Sequence, residues 1–396
     1  MELEHKHSAT GTTIFTVMST LASTHRAINL SQGFPDFPID EKLAAYLSDA
    51  AQGNYNQYAP MTGLPALRQA IAEDLLTRYH ISLHPDEEIT ITPGATYGIY
   101  TALTSFLRRD DEVIILEPAY DSYIPNIEMN GAKAVCVPLV APDFSVDWDL
   151  IRNAVTEKTR AIIVNTPNNP TGATWSKKDW EELAALVRNT DIIIISDEVY
   201  EQLVFDGKKH LSVLEHPELK ERSFAVFSFG KVFNNTGWKI GYVVATKKLT
   251  HSFRHVHQFI SFSVNTPAQY AIAEYLKQTG RPNVNAIMEG KRNLFLGLIK
   301  DLPFTLHQKT SGSYFQILGY EQISDLPDLE FAKWLTTEYG VATIPVSAFY
   351  SNRKDNRLIR FCFAKKEETL TEAVNRLSGL RSDASAIATP STNNGS

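Results

Sequence analysis

The chain has 396 residues, of which 43% are hydrophobic and 21% charged, with 38 Lys and Arg against 45 Asp and Glu for a net charge of −7. That length suggests two domains with sizeable cores, and the acidic balance excludes nucleic acid as the main partner, because phosphate neutralisation needs clustered positive charge. No apolar run approaches the roughly 18 residues that cross a bilayer, and the N-terminus lacks the apolar core of a signal peptide, so no membrane association and a cytoplasmic location are expected.

Residues 1–40 read as an N-terminal arm that shares a small domain. Apolar residues at helical spacing give a helix over Leu64–His80, followed by a short strand over Glu88–Thr92 and a helix over Gly94–Arg108. Strands follow at Glu112–Leu116, Ala134–Leu139 and Ala161–Asn165. An amphipathic helix covers Lys177–Arg188, and the run Asp191–Ile195 is an unbroken apolar strand. Two more strands are placed at Ser223–Phe227 and Ile240–Ala245. Runs without polar alternation suit strands covered on both faces by helices. The expected architecture is therefore α/β, a large three-layer domain over 41–280 with a mostly parallel sheet.

From Gly280 the pattern changes. A long helix over Val284–Asp301, strands near Tyr314–Leu318, Val341–Ile344 and Leu358–Phe363, and helices over Leu329–Tyr339 and Lys366–Leu380 imply a smaller α+β domain over 281–381. Residues 382–396 are small and polar and read as a disordered tail.

Several chemistries are absent from the sequence. There is no GxGxxG after a strand, no GxxxxGK[ST], no HExxH, no CxxC and no GxSxG. Cys136 and Cys362 lie in apolar runs and suggest buried thiols in a reducing compartment rather than a disulfide or a metal site. His251, His255 and His257 come closest to a histidine cluster, but no carboxylate accompanies them, and a core or solvated role is expected. Ser228-Phe-Gly-Lys231, Ser263-Val-Asn265 and Lys309-Thr-Ser311 formally imitate the triplets of serine acyl enzymes. The serine there opens a helix, whereas Ser228 directly follows an apolar strand, and the third triplet is imperfect.

Another set of polar residues is more telling. Asn169 lies in Thr-Pro-Asn-Asn-Pro-Thr-Gly, after the strand that ends at Asn165. Asp197 and Tyr200 lie in Ser-Asp-Glu-Val-Tyr, and Ser228 and Lys231 in Ser-Phe-Gly-Lys, each directly after an apolar strand. Lys239 follows eight residues beyond Lys231. Three polar groups thus emerge at the carboxyl ends of three strands, the edge at which open α/β sheets bind ligands.

In that order and spacing the sequence resembles the fold-type I, pyridoxal-phosphate-dependent aminotransferases of class I, over about Thr13 to Leu380. The stretches at 28–37, 57–68 and 257–269 look closest to the subgroup of methionine aminotransferases, kynurenine aminotransferases and glutamine transaminase K. The resemblance implies pyridoxal 5′-phosphate as cofactor. Lys231 would hold its aldehyde as an imine and shuttle the α-proton. Asp197 would face the pyridine nitrogen, Tyr200 and Asn169 the phenolic oxygen, and Tyr120 the ring, with Tyr123 an alternative for the last place. Gly94, Ala95 and Thr96 at a helix start, with Ser228 and Lys239, would bind the phosphate. Lys239 stands where many members have arginine and lacks its bidentate fork.

The resemblance further implies a homodimer with shared sites, to which Tyr58 would give a hydroxyl for the neighbouring phosphate. Arg360 and Gly33 would receive the substrate α-carboxylate, with Asn169 beside them. Phe34 and Phe262, the latter from the second subunit, would offer apolar, polarisable surface. The expected reaction is a ping-pong transfer from an amino acid to a 2-oxo acid. Methionine is the expected donor, with phenylalanine, tyrosine, leucine or kynurenine as further candidates and β-elimination from cysteine conjugates as an alternative outcome at the same site.

Overall fold

The computed structural model describes residues 11–380; the tail read at 382–396 lies outside them. Seven strands form the central sheet in the order Ile89–Thr92, Gly241–Val244, Ser223–Ser228, Ile193–Asp197, Thr159–Asn165, Glu112–Glu117 and Lys133–Pro138. All run in one direction except Gly241–Val244, which is antiparallel to both its neighbours. The strands are parallel and apolar because both faces are covered. Ile114, Ile162 and Ile194 enter one buried cluster with helices Glu41–Gln52, Pro65–Tyr79, Lys177–Val187 and Thr266–Thr279. Their chain neighbours Ile115, Ile163 and Ile195 enter the cluster on the other face, with helices Ala95–Phe106 and Lys247–Ile260. The period-2 alternation of a strand therefore builds both layers of the core.

A third cluster belongs to the second part of the chain. Phe315–Gly319, Leu358–Cys362 and Ile344–Pro345 form an antiparallel sheet, packed with helices Val284–Ile299, Asp328–Glu338 and Glu367–Leu377. Leu30, from the N-terminal arm, is buried in this same cluster. The segment read as one strand over Val341–Ile344 is two. Val341–Ala342 pairs in parallel with Ile28–Asn29, and Ile344 then pairs with Arg360, so the chain changes sheets at Thr343. The helices Ile14–Thr24, Glu41–Gln52, Lys247–Ile260 and Thr266–Thr279 add to those that the sequence pattern predicts.

Register brings the carboxyl ends of the strands together. Asn165 lies opposite Asp197, and Asp197 opposite Val226. Ser228 and Thr92 both lie opposite Gly241. Four strand ends thus open on one edge, and the turns that follow them carry the polar residues.

Candidate active site

A cavity of about 350 Å³ lies at that edge. It is lined by Gly33, Phe34, Gly94, Ala95, Thr96, Tyr120, Asn169, Asp197, Tyr200, Ser228, Lys231, Lys239 and Arg360 among others. Of the cofactor and substrate residues that the resemblance implies, Tyr58, Phe262 and the alternative ring cover Tyr123 stay outside. Tyr58 is 81% exposed, and its ring meets that of Phe262 edge-on at 5.5 Å.

Lys231 sits in the short helix Phe229–Val232, which opens directly after the strand ending at Ser228. Its Nζ donates to the Gly33 carbonyl at 3.1 Å, and Tyr314 fixes its backbone by donating to the Lys231 carbonyl at 2.8 Å. Burial drives the ammonium down to about 8, against the pull of Asp197.

Asp197 ends its strand and is buried. Tyr123 donates to its Oδ2 at 2.6 Å, the Val199 amide to Oδ1 at 3.3 Å, and the Asn165 amide to its carbonyl at 3.0 Å. Burial lifts its carboxyl to about 6, while the Tyr123 hydrogen bond and Lys231 oppose the rise. Tyr200, three residues on, is buried, and burial raises its phenol well above the ordinary range. Among the described residues its hydroxyl has no hydrogen-bond partner.

Helix Ala95–Phe106 begins without a side-chain cap, so its first amides remain available to an anion. Gly94 precedes it with φ 85°, a left-handed conformation suited to glycine, and a Cβ there would stand 3.2 Å from Lys239 Nζ. Ser228 and Lys239 line the same cavity.

Arg360 lies on the strand Leu358–Cys362 and is fully buried. Its Nη1 donates to Asn169 Oδ1 at 2.6 Å and its Nη2 to the Ser31 carbonyl at 2.7 Å. The guanidinium stands over the Phe315 ring at 3.9 Å, and burial lowers it to about 10. Its Nε is buried with no partner. Asn169 is itself held, its amide donating to Asn165 Oδ1 at 2.8 Å.

Tyr123 and Asn165 have roles that the sequence did not assign to them. Tyr123, weighed as a ring cover, is 2% exposed and does not line the cavity; it supports Asp197 instead, while Tyr120 lines the cavity. Asn165, the polar end of an apolar strand, joins the Asn169 turn to Asp197. His257 is a core residue: Tyr97 OH lies 3.0 Å from its Nδ1 and the Met61 carbonyl 3.0 Å from its Nε2.

Known proteins resemble this chain over nearly its whole length. A family model described as aminotransferase class I and II matches residues 25–377. The methionine aminotransferase of Escherichia coli (strain K12) is 44% identical over 373 residues, covering 93% of this chain and 95% of that one. A solved Escherichia coli structure identified as a methionine aminotransferase has a TM-score of 0.91 at 42% identity, over 95% of this chain and 99% of the other. A probable N-succinyldiaminopimelate aminotransferase of Mycobacterium tuberculosis is 38% identical, covering 93% and 96% of the two chains. Kynurenine–oxoglutarate transaminase 1 of Mus musculus is 34% identical, covering 90% and 92%.

Proposed function

We propose a specific reaction for this chain, which belongs to the class I and II aminotransferases: it moves the amino group of methionine, and of other large apolar or aromatic amino acids, to a 2-oxo acid. Its cofactor is pyridoxal 5′-phosphate, which when bound acts as an electron sink and makes the α-proton of an amino acid acidic.

The donor set of the cavity fits that group. The uncapped helix start at Gly94, Ala95 and Thr96, with Ser228 and Lys239, suits a phosphate. Asp197 would hold the pyridine nitrogen, Tyr120 the ring face, Tyr200 and Asn169 the phenolic oxygen, and Lys231 the aldehyde. With its ammonium lowered to about 8, Lys231 keeps a useful neutral fraction near pH 7 and can both attack a carbonyl and carry a proton on Nζ. Asp197, raised only to about 6, remains an anion there and can hold a proton on a ring nitrogen.

Arg360 would anchor the substrate carboxylate, which would supply the acceptor that its buried Nε lacks. The substrate choice rests on one observation. Among the described residues Arg360 is the only arginine lining the cavity, and Phe15, Phe34 and Phe315 line it too. A distal carboxylate would find no second guanidinium among them, whereas a thioether or aromatic ring would find polarisable surface.

A homodimer is part of the reading. Tyr58, Phe259, Ile260 and Phe262 are all more than half exposed, an apolar group that a second copy would cover while receiving Tyr58 at its own phosphate. The two free cysteines suit a reducing, cytoplasmic setting. The test is a donor screen against a common 2-oxo acid, with methionine, kynurenine, aspartate and N-succinyldiaminopimelate. Methionine is expected to exceed aspartate in kcat/KM by about tenfold or more; the reverse order would overturn the proposal.

A further inference from the structure

Residues 197–201 read Asp-Glu-Val-Tyr-Glu, and their polar side chains divide between two environments. Asp197 and Tyr200 line the cavity, whereas Glu198 and Glu201 are buried outside it. Glu198 accepts from the Ser196 hydroxyl at 2.8 Å and the Val213 amide at 3.0 Å, and pairs with His210 Nε2 at 2.7 Å. Glu201 is gripped harder. Its Oε2 accepts from Arg78 Nη1 at 2.5 Å and Tyr79 OH at 2.8 Å, and its Oε1 accepts from Arg281 Nη1 at 2.8 Å. Asp74 completes the cluster, 2.7 Å from Arg78 and 2.8 Å from Arg281, and Tyr242 OH lies 3.4 Å from Arg281.

These partners come from two helix ends. Arg78 and Tyr79 close the helix Pro65–Tyr79, and Arg281 follows Gly280, which caps the helix Thr266–Thr279. Burial alone would raise the Glu201 carboxyl, but the two arginines outweigh it and hold it at about 2, so the acid is charged throughout the working range. Buried ion pairs are weak devices for stability, since apolar residues of the same volume often serve as well. They do fix position, and Tyr200 is the residue directly before Glu201 in the chain. Tyr200 has no partner for its hydroxyl among the described residues, and its ring meets Tyr314 and Phe315 only edge-on, at 5.1 and 5.9 Å. The ring is packed in a buried cluster with Leu30 and Phe315, so the direction of that hydroxyl follows from the backbone at residue 200 together with this packing.

We propose that Glu201, clamped by Arg78 and Arg281, is a positioning residue that sets the place of the Tyr200 hydroxyl in the cavity. This rests on the reading that Tyr200 donates to the phenolic oxygen of the cofactor. A donor at that oxygen stabilises its anion and lowers the pH at which the visible chromophore of the lysine-bound cofactor changes form.

The experiment measures that pH midpoint in the holoenzyme of wild type, Tyr200→Phe, Glu201→Gln and the double variant, with thermal unfolding of each alongside. Tyr200→Phe is expected to raise the midpoint by about one unit or more. Glu201→Gln is expected to move it in the same direction by about half as much. The double variant should shift no further than Tyr200→Phe alone, because both changes act through one hydroxyl. Where Glu201→Gln yields no holoenzyme, Arg281→Met removes one clamp, leaves Arg78 on Glu201, and should shift the midpoint likewise. A wild-type midpoint in Glu201→Gln or its substitute, beside a shifted Tyr200→Phe, overturns the proposal and leaves the role of Tyr200 standing. So does a fully additive double variant. If Tyr200→Phe itself shifts nothing, the reading of Tyr200 falls and the proposal falls with it.

Discussion

Tyr123 donates its hydroxyl hydrogen to Asp197 Oδ2 at 2.6 Å, with both residues at most 4% exposed. The other carboxylate oxygen takes the Val199 amide at 3.3 Å. Both oxygens are therefore oriented by this chain's own donors, and the acid does not have to be organised when a cationic ring nitrogen arrives. Preorganisation of this kind is where a buried carboxylate gains strength over one in water.

Tyr123→Phe keeps the ring volume and deletes one charge-assisted hydrogen bond, a loss of about 1.5–3 kcal/mol in a dry site. Pyridoxal phosphate is expected to bind about tenfold or more weakly and kcat to fall, with little change in the fold. Equilibrium dialysis of the cofactor, read beside the thermal unfolding curve, checks this. Cofactor affinity equal to wild type would show that the phenol is only filling space.

Asp197 also has a cost in the cofactor-free protein. Burial lifts its carboxyl from 3.8 to about 6, so between those values the folded chain binds more protons than the unfolded one. A carboxyl raised in this way contributes stability that is present at low pH and is lost as the pH rises through about 6. Cofactor-free Asp197→Asn avoids that loss. It is expected to be more stable than cofactor-free wild type at pH 8, by ~3 kcal/mol at most, with the difference closing towards pH 4. Urea unfolding at the two pH values decides the matter; a variant less stable than wild type at pH 8 would mean that Lys231 and the hydrogen bonds outweigh burial.

The sheet was legible because its strands are uninterrupted apolar runs, and the candidate cavity because each of three runs ends in a polar motif. Contacts that join distant parts of the chain were not. Arg360 and Asn169 stand 191 residues apart and meet only because the arm and the second sheet fold over the strand ends. Tyr120 lies in the loop after the strand Glu112–Glu117 and Tyr123 opens the short helix Tyr123–Glu128 three residues on, and no periodicity distinguishes the ring that lines a cavity from the one that supports an acid. Glu201 reads as an ordinary acid until Arg78 and Arg281 are brought to it. The helices Glu41–Gln52 and Thr266–Thr279 each have an N-cap side chain in place, Asp40 and Asn265, a local signal that the apolar pattern alone does not carry.

Lys231 has a pH signature that a surface lysine would lack. Burial brings its ammonium down to about 8, and only the neutral amine attacks an aldehyde. The rate at which cofactor-free protein takes up pyridoxal phosphate should therefore climb about tenfold per pH unit at low pH and level off above about 8. Stopped-flow absorbance gives the profile, and borohydride reduction with mass mapping gives the site. A rate still climbing at about pH 10 would mean an unperturbed amine. Lys231→Ala should retain cofactor affinity in part, form no reducible adduct and lose turnover.

Gly33 links Lys231 to Arg360. Its carbonyl accepts from Lys231 Nζ at 3.1 Å, and a Cβ at this position would approach Phe315 Cζ to 2.6 Å. No carbon atoms pack that closely, so in Gly33→Ala either the Phe315 ring or the arm must move. The same ring lies 3.9 Å beneath the Arg360 guanidinium, whose Nη2 is fixed to the carbonyl of Ser31, two residues before Gly33. A displaced ring therefore disturbs the carboxylate anchor from below while the arm disturbs it from the side. Gly94, Ser228 and Asp197, the residues proposed to hold the cofactor, belong to the large sheet and its following turns and would be spared. Gly33→Ala is accordingly expected to raise KM for methionine by about tenfold while cofactor affinity stays near wild type. Steady-state kinetics beside cofactor dialysis separates the two; equal losses in both would place Gly33 in the cofactor site rather than at the carboxylate anchor.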